Sequence, residues 1–168
     1  IQPTIKGIQQ RGLDYKGFIF FGLIVVEGKP YVIEYNCRMG DPETQVVFPR
    51  WNNDIMEALV ALSEGRLSEI EMDIDPQSAA TVILVAGGYP NQYEKGKVIE
   101  GIAKVEGSLV FHAGTLELGD QIVTNGGRVI AITSLSNTFQ AAVQQSIVNA
   151  AHIDFEGKYF RRDIGFDL

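Results

Sequence analysis

A single cysteine, Cys37, stands in 168 residues. An intrachain disulfide is therefore impossible, and a reducing compartment, the cytoplasm, is the expected location. Histidine is nearly as scarce. His112 and His152 are the only two, and neither has a partner at metal-ligand spacing, so both are expected to be structural. Positive charge is short as well: 14 Lys and Arg against 21 Asp and Glu, a net charge of −7. A duplex nucleic-acid binder needs a basic face, so no nucleic-acid partner is expected. A nucleotide ligand stays open, because a few local cations and a metal can serve it. Long apolar runs are missing too. Stretches such as Phe18–Val26 and Thr81–Ala86 fall well short of the ~20 residues of a transmembrane helix, so no membrane partner is expected. The opening IQPTIKGIQQ lacks a signal-peptide pattern and an initiator Met. The expectation is a chain that starts inside a longer protein.

The residues that are present punctuate the chain clearly. Pro3 suits the first turn of a short helix and Gly12 its end. Phe18–Val26 and Pro30–Asn36 are β-rich runs joined by Glu27-Gly28-Lys29, which reads as a hairpin. Asp41-Pro42-Glu43 reads as a helix start, with Asp as cap and Pro at the first position, and Pro49 should break that helix. Asn53 or Asp54 caps the next helix, with Ile55, Leu59 and Leu62 on one stripe, ending near Gly65. An acidic, polar stretch with Pro76 follows, and it marks a boundary. Beyond it lie four strand candidates, Ala79–Ala86, Ser108–Ala113, Gln121–Thr124 and Arg128–Ser134, separated by Gly-rich turns. One helix, about Thr138–His152, carries Phe139, Val143, Ile147 and Ala150 at helical spacing. Phe139, Val143 and Ile147 are expected to be buried.

The chemistry-bearing segment is YVIEYNCRMGDPETQ, Tyr31–Gln45. Alternate residues of a strand share a face, so Glu34, Asn36 and Arg38 should project together, with Ile33, Tyr35 and Cys37 turned toward a core. A carboxylate and an amide oxygen are hard ligands suited to Mg²⁺, and an arginine fork matches phosphate or carboxylate. That combination points to phosphoryl chemistry, where charge neutralisation and positioning supply most of the catalysis. The same alternation also describes the solvated face of an edge strand, with Glu34 and Arg38 as weak surface partners. Asp41 and Glu43 likewise suit a plain helix cap and a first-turn acid. Spacing alone leaves both readings open.

Longer strings of the chain carry a resemblance. GFIFFGLIVVEGKPYVIEYNCRMGDPETQVVFPR resembles the last strands of an ATP-grasp domain. EYNCRMGDPETQ resembles the metal and substrate segment of the phosphoribosylamine–glycine ligase family, also called glycinamide ribonucleotide synthetases. GYPNQYEKG, VFHAGT, VTNGGRVIAIT and YFRRDIG resemble that family's C-terminal domain, in order. The resemblance spans essentially the whole chain. It implies an ATP-dependent carbon–nitrogen ligase of de novo purine biosynthesis. The γ-phosphoryl group of ATP passes to the glycine carboxylate, and the amine of 5-phosphoribosylamine attacks the resulting glycyl phosphate. Glycinamide ribonucleotide, ADP and phosphate are the products. The same resemblance implies that Glu34 and Asn36 hold Mg²⁺ (or Mn²⁺) against the ATP phosphates. Arg38 is implied as the catalytic cation and as a contact to the glycine carboxylate. Asp41 and Glu43 are implied on the substrate side, and Arg128 as a possible cleft residue.

The expected fold is α+β: the end of an ATP-grasp domain over residues 1–66, a linker over 67–78, and a small mixed-sheet C-terminal domain with a covering helix over 79–168. A phosphate-covering loop with its lysine and a phosphoribosylamine-holding domain are not found, so an inactive piece of a longer, monomeric enzyme is expected. An ending soon after RRDIG suits a standalone enzyme rather than a fusion. Cys37 is expected to be a buried thiol, Gly126-Gly127-Arg128 a hairpin turn, and Lys95 and Lys97 solvated. Arg161-Arg162-Asp163 is expected to pack back on the ATP-grasp part. Two alternatives compete: a carboxylase-type ATP-grasp purine enzyme, and a non-catalytic interaction module.

Overall fold

The computed structural model describes residues 1–166; the final two residues of the ending GKYFRRDIGFDL lie outside the described residues. The chain divides into two units. The first comprises Ile1–Thr44 and Trp51–Ile74, and the second Gln45–Arg50 together with the chain from Asp75 onward.

The first unit begins with helix α1 (Gln2–Gln10), which has Pro3 in its first turn. Strands β1 (Phe20–Val26) and β2 (Lys29–Asn36) form an antiparallel two-stranded sheet. Glu27 and Gly28 turn the hairpin, both with positive φ (49° and 74°), the conformation a tight turn between right-twisted strands requires. The register shifts between Gly22 and Leu23, leaving Ile33 without a cross-strand partner. Tyr35 pins the hairpin locally, packing edge-on against Phe21 at 5.3 Å and sharing a 3.1 Å hydrogen bond with the Thr4 hydroxyl of α1. Helix α2 (Thr44–Val47) is a single turn, and Phe48–Arg50 continues it as a 3-10 turn where Pro49 enters. The expected start at Asp41 is not observed. Gly40's carbonyl accepts from both the Thr44 amide (3.0 Å) and the Thr44 hydroxyl (2.6 Å), which closes a turn over 40–44 and begins the helix three residues later. Helix α3 (Ile55–Ser63) follows, capped by Asp54, whose carboxylate accepts from Met56 N at 2.8 Å.

Strands β3 (Ser78–Val85), β4 (Leu109–His112) and β7 (Arg128–Ser136) build the second unit's main sheet, in the order β3-β7-β4. Both pairings are antiparallel, where a mixed sheet was expected. The outer strands share a direction, but β7 lies between them and they never meet. Strands β5 (Thr115–Leu118) and β6 (Gln121–Thr124) form a separate antiparallel ribbon turned at Gly119-Asp120. Consequently Gly126-Gly127 is not a hairpin turn: β6 pairs with β5, and the loop carries the chain across to β7.

Helix α4 (Phe139–His152), capped by Thr138, packs on β3 and β7. Its buried face is Ala142, Ser146, Asn149 and Ala150, while Phe139, Val143 and Ile147 are only half-buried. The expected large apolar stripe is therefore displaced to the flank. Small side chains let the helix approach the sheet, and its buried polar groups find partners there. Ser146 Oγ donates to Ala80 O at 3.0 Å, and Asn149 Nδ2 donates to Glu106 O at 2.7 Å. Val82, Leu84, Val129, Ile130, Ile132 and Ile153 form the center of the core, each almost fully buried. On β7, Thr133 donates to the Gln45 carbonyl at 2.9 Å, which ties the Gln45–Arg50 segment to this sheet. Arg50 in turn donates twice to Asp75 O, at 3.0 and 3.1 Å.

Candidate functional site

The alternation of β2 places Glu34 and Asn36 side by side, with Asn36 Nδ2 donating to Glu34 Oε1 at 3.0 Å. This bond engages the amide nitrogen and one carboxylate oxygen; Asn36 Oδ1 and Glu34 Oε2 lie outside it. Glu34 is exposed and Asn36 half-buried. Two hard oxygen donors of this kind fit Mg²⁺, which keeps several waters and takes substrate phosphates as further ligands instead of requiring an all-protein cage. Among the described residues there is no cluster of three His, Cys, Asp or Glu able to hold a metal unaided.

Arg38 is placed differently from its expectation. Strand β2 ends at Asn36, so Cys37 and Arg38 sit in a bend beyond it, and Arg38 Nη1 donates to Met39 O at 3.1 Å. Asp41 and Glu43 lie in the 40–44 turn. The Glu43 carboxylate rests over Gly40, whose missing Cβ would fall 2.1 Å from Glu43 Oε2. Arg128 opens β7 in the second unit, and its carbonyl accepts from Gly114 N at 2.8 Å.

The residues expected to face a core from the other side of β2 do not. Ile33 and Tyr35 are 66% and 51% exposed, and Cys37 is an exposed free thiol. Within this chain the hairpin stands as a two-stranded sheet, and these side chains meet solvent. Tyr15 lies close enough to Cys37 to feel it. Desolvation first, and the thiol second, push the Tyr15 hydroxyl above its ordinary range. Tyr15 also donates to Phe18 O at 2.6 Å.

In the second unit, Lys97 is not simply solvated: it bridges Glu94 (2.7 Å) and Glu156 (3.0 Å). His112 Nδ1 meets Thr115 Oγ1 at 3.1 Å, joining β4 to the β5 ribbon. Arg161 pairs with Asp163 at 2.9 Å, which holds that carboxyl below its ordinary range. A cavity of about 700 Å³ opens beside them, lined by Ala151, Lys158, Tyr159, Phe160, Arg162 and Asp163. Lys158 is engaged by backbone carbonyls at the end of α4, Ile153 O and, at 3.4 Å, Ala150 O, so it serves the helix terminus.

Two glycines against which the acids lie do not stand out in the sequence pattern. Gly22 stands directly opposite Glu34, and Gly40 lies beneath Glu43. The available signal was a glycine in the interior of a β-rich run, which marks a bulge or a close approach.

Comparison with known proteins gives these features a context. The family model described as phosphoribosylglycinamide synthetase, ATP-grasp (A) domain, matches residues 1–44, so the hairpin with Glu34 and Asn36 is part of an ATP-grasp domain. The model for the phosphoribosylglycinamide synthetase C domain matches residues 79–167. The chain belongs to the phosphoribosylglycinamide synthetase family. Among its relatives, the phosphoribosylamine–glycine ligase of Vibrio cholerae is 47% identical over 99% of this chain and 39% of its own length. That of Chlorobaculum tepidum is 45% identical over 98% of this chain and 40% of its own length. The crystal structure of the Thermotoga maritima phosphoribosylamine–glycine ligase superposes with a TM-score of 0.83 at 37% identity, covering 95% of this chain and 40% of that one. The chain thus spans about 40% of the length of the curated relatives it matches. The α+β fold expected from the sequence agrees with this match, and no described helix is long and apolar enough to cross a membrane.

Proposed function

We propose that this chain is the C-terminal part of an ATP-dependent ligase that joins glycine to 5-phosphoribosylamine in purine biosynthesis. Support comes from the names of the relatives that match along nearly the whole chain. The observation that carries the site is the pairing of Glu34 and Asn36 on β2, two oxygen-bearing side chains held 3.0 Å apart within the segment matching an ATP-grasp domain.

In this reading Glu34 and Asn36 hold Mg²⁺ (or Mn²⁺), which supplies charge neutralisation at the ATP phosphates. Arg38 leaves the Met39 carbonyl and places its fork on the transferring phosphoryl group or the glycine carboxylate. A glycine carboxylate oxygen attacks the γ-phosphorus, the bond to the bridging oxygen breaks, and ADP leaves. The amine of 5-phosphoribosylamine then attacks the acyl carbon, phosphate departs, and the amine proton is lost to solvent. No general base is required of the protein, because phosphate is already a good leaving group. Asp41 and Glu43, in the turn after β2, line the substrate side and meet the amine. Arg128 is the cleft residue of the C domain in this reading. The intact enzyme acts as a cytoplasmic monomer, with residues 67–78 linking its last two domains.

The test uses the complete protein carrying this chain. Glu34→Gln replaces a carboxylate with a neutral amide and should abolish most ADP release while the circular dichroism stays native. Arg38→Lys keeps the charge and loses the fork, and should lower kcat about tenfold or more, equivalent to about 1.4 kcal/mol of transition-state stabilisation. Near-wild-type turnover in both variants at ordinary Mg²⁺ would refute the assignment.

A further inference from the structure

Gly22 and Glu34 are direct cross-strand partners in the hairpin. A Cβ on residue 22 would lie 2.8 Å from Glu34 Cγ, whereas the nearest backbone atoms, Glu34 N and O, would be an ordinary 3.6 Å away. Backbone conformation does not explain the glycine, since Gly22 does not adopt a positive φ. Other glycines show the contrast. At Gly101, with φ +83°, a Cβ would meet the His152 carbonyl oxygen at 2.0 Å; at Gly88, with φ +95°, it would meet the Gln92 carbonyl oxygen at 2.1 Å. Those two glycines serve the fold. At Gly22 the conflict is with a side chain alone, and glycine in a strand interior otherwise weakens the strand. The register shift immediately after Gly22 marks the same spot, and bulges re-aim side chains beside functional sites.

We propose that Gly22 is a positioning residue for Glu34: the space above it lets the Glu34 side chain lie across the hairpin with its carboxylate beside Asn36. The inference rests on the reading of Glu34 and Asn36 as the metal-holding pair. A methyl group at residue 22 moves Cγ, swings the carboxylate away from Asn36, and separates the two oxygen donors. The backbone ladder has no reason to break, because nothing in it is touched.

The experiment uses the complete protein and reads Mn²⁺ binding in the presence of ATP, from the paramagnetic resonance of free Mn²⁺, beside the thermal midpoint. Gly22→Ala should weaken Mn²⁺ about 10- to 100-fold, the usual consequence of disturbing the support of a metal ligand. Any fall in thermal midpoint caused by Gly22→Ala should be relieved in a Glu34→Ala background, where no Cγ remains to be met. Mn²⁺ binding within about twofold of wild type overturns the proposal, as does an equal midpoint loss in both backgrounds. Glu34→Gln separates the two levels. If it too leaves Mn²⁺ binding unchanged, the metal-pair reading itself fails; if it weakens binding while Gly22→Ala does not, only the role of Gly22 fails.

Discussion

The Ser146 hydroxyl on α4 lies 2.8 Å from the Ser134 hydroxyl on β7, and both residues are fully buried. Donor counting fixes the direction of the chain they belong to. The Ala80 carbonyl can only accept, so the single Ser146 proton goes to it at 3.0 Å; Ser134 then donates to Ser146, Ser108 donates to Ser134 (2.6 Å), and Ser108 accepts from Asn149 Nδ2 at 2.6 Å. Each hydroxyl has one proton, and each is used once. Ser134→Ala should therefore strand Ser108's donor and Ser146's acceptor together, costing about 1–3 kcal/mol in urea unfolding. The Ser134→Ala/Ser146→Ala double variant should lose less than the sum of the two singles, because the links depend on one another. Strict additivity would show that the chain is not acting as a unit.

Two glycines with similar backbone conformations should respond very differently to alanine. Gly101 (φ +83°) faces the His152 carbonyl oxygen at 2.0 Å, and Gly107 (φ +66°) has nothing within 4 Å. Gly107→Ala should cost only the ~1–2 kcal/mol of a left-handed alanine. Gly101→Ala adds a clash with backbone that cannot swing away, and should exceed about 4 kcal/mol, in the range reserved for severe strain. Equal losses in thermal or urea unfolding would mean that the end of α4 yields easily.

Turns, caps and strand runs were legible in the chain because each rests on local chemistry. Glu27-Gly28 turns a hairpin, and Asp54, one of the two residues expected to cap α3, does so. The buried face of α4 was not legible. Periodicity favours Phe139, Val143 and Ile147, but Ser146 and Asn149 go inside because β7 and the 106–108 loop offer them partners distant in sequence. Strand β5 was hidden between two glycines read as turns. The adjacency of Glu34 and Asn36 followed from strand alternation. Arg38 did not follow, since the strand ends two residues before it. Gly22 needed the cross-strand register, which no single-strand pattern contains.

Lys97 gives a pH dependence with a definite sign. Its hydrogen bond, then its charge, hold Glu94 below the ordinary carboxylate range, while the hydrogen bonds that Lys97 donates to Glu94 and then to Glu156 hold Lys97 above its own. The Glu94 contribution to stability is present above the unfolded carboxylate value and fades as pH falls through the lowered one. That of Lys97 is present below its unfolded value and fades as pH rises through the raised one. The cluster is therefore constant across neutral pH. Both carboxylates are exposed, so the effect is small and screened by salt. In Lys97→Met, an NMR titration of the Glu94 side-chain carboxyl should move up to the ordinary range. An unchanged titration would assign the shift to another group.

The last prediction concerns the apolar hairpin. Leu23, Ile24, Val25 and Val26 on β1, with Tyr31, Val32, Ile33 and Tyr35 on β2, are all exposed, although successive residues point to opposite faces. Both faces of the two-stranded sheet thus carry exposed apolar side chains, and among the described residues each strand keeps an unpaired outer edge. Exposed edges beside a contiguous apolar patch promote pairing with other chains. The 168-residue chain should therefore associate as its concentration rises, seen as a growing sedimentation coefficient. Val25 and Ile33 are the sites to alter, being the most exposed of the eight at 68% and 66%. Ile33 has no cross-strand partner, and Val25 faces Pro30, which has no N–H to give to the ladder. Lysine at both positions should leave the hairpin bonds intact while charging its surface, as natural edge strands do. The Val25→Lys/Ile33→Lys variant should sediment as a monomer over the same concentrations. A wild-type chain that stays monomeric, or a double variant that associates just as strongly, would show that the hairpin is not the surface through which these chains meet.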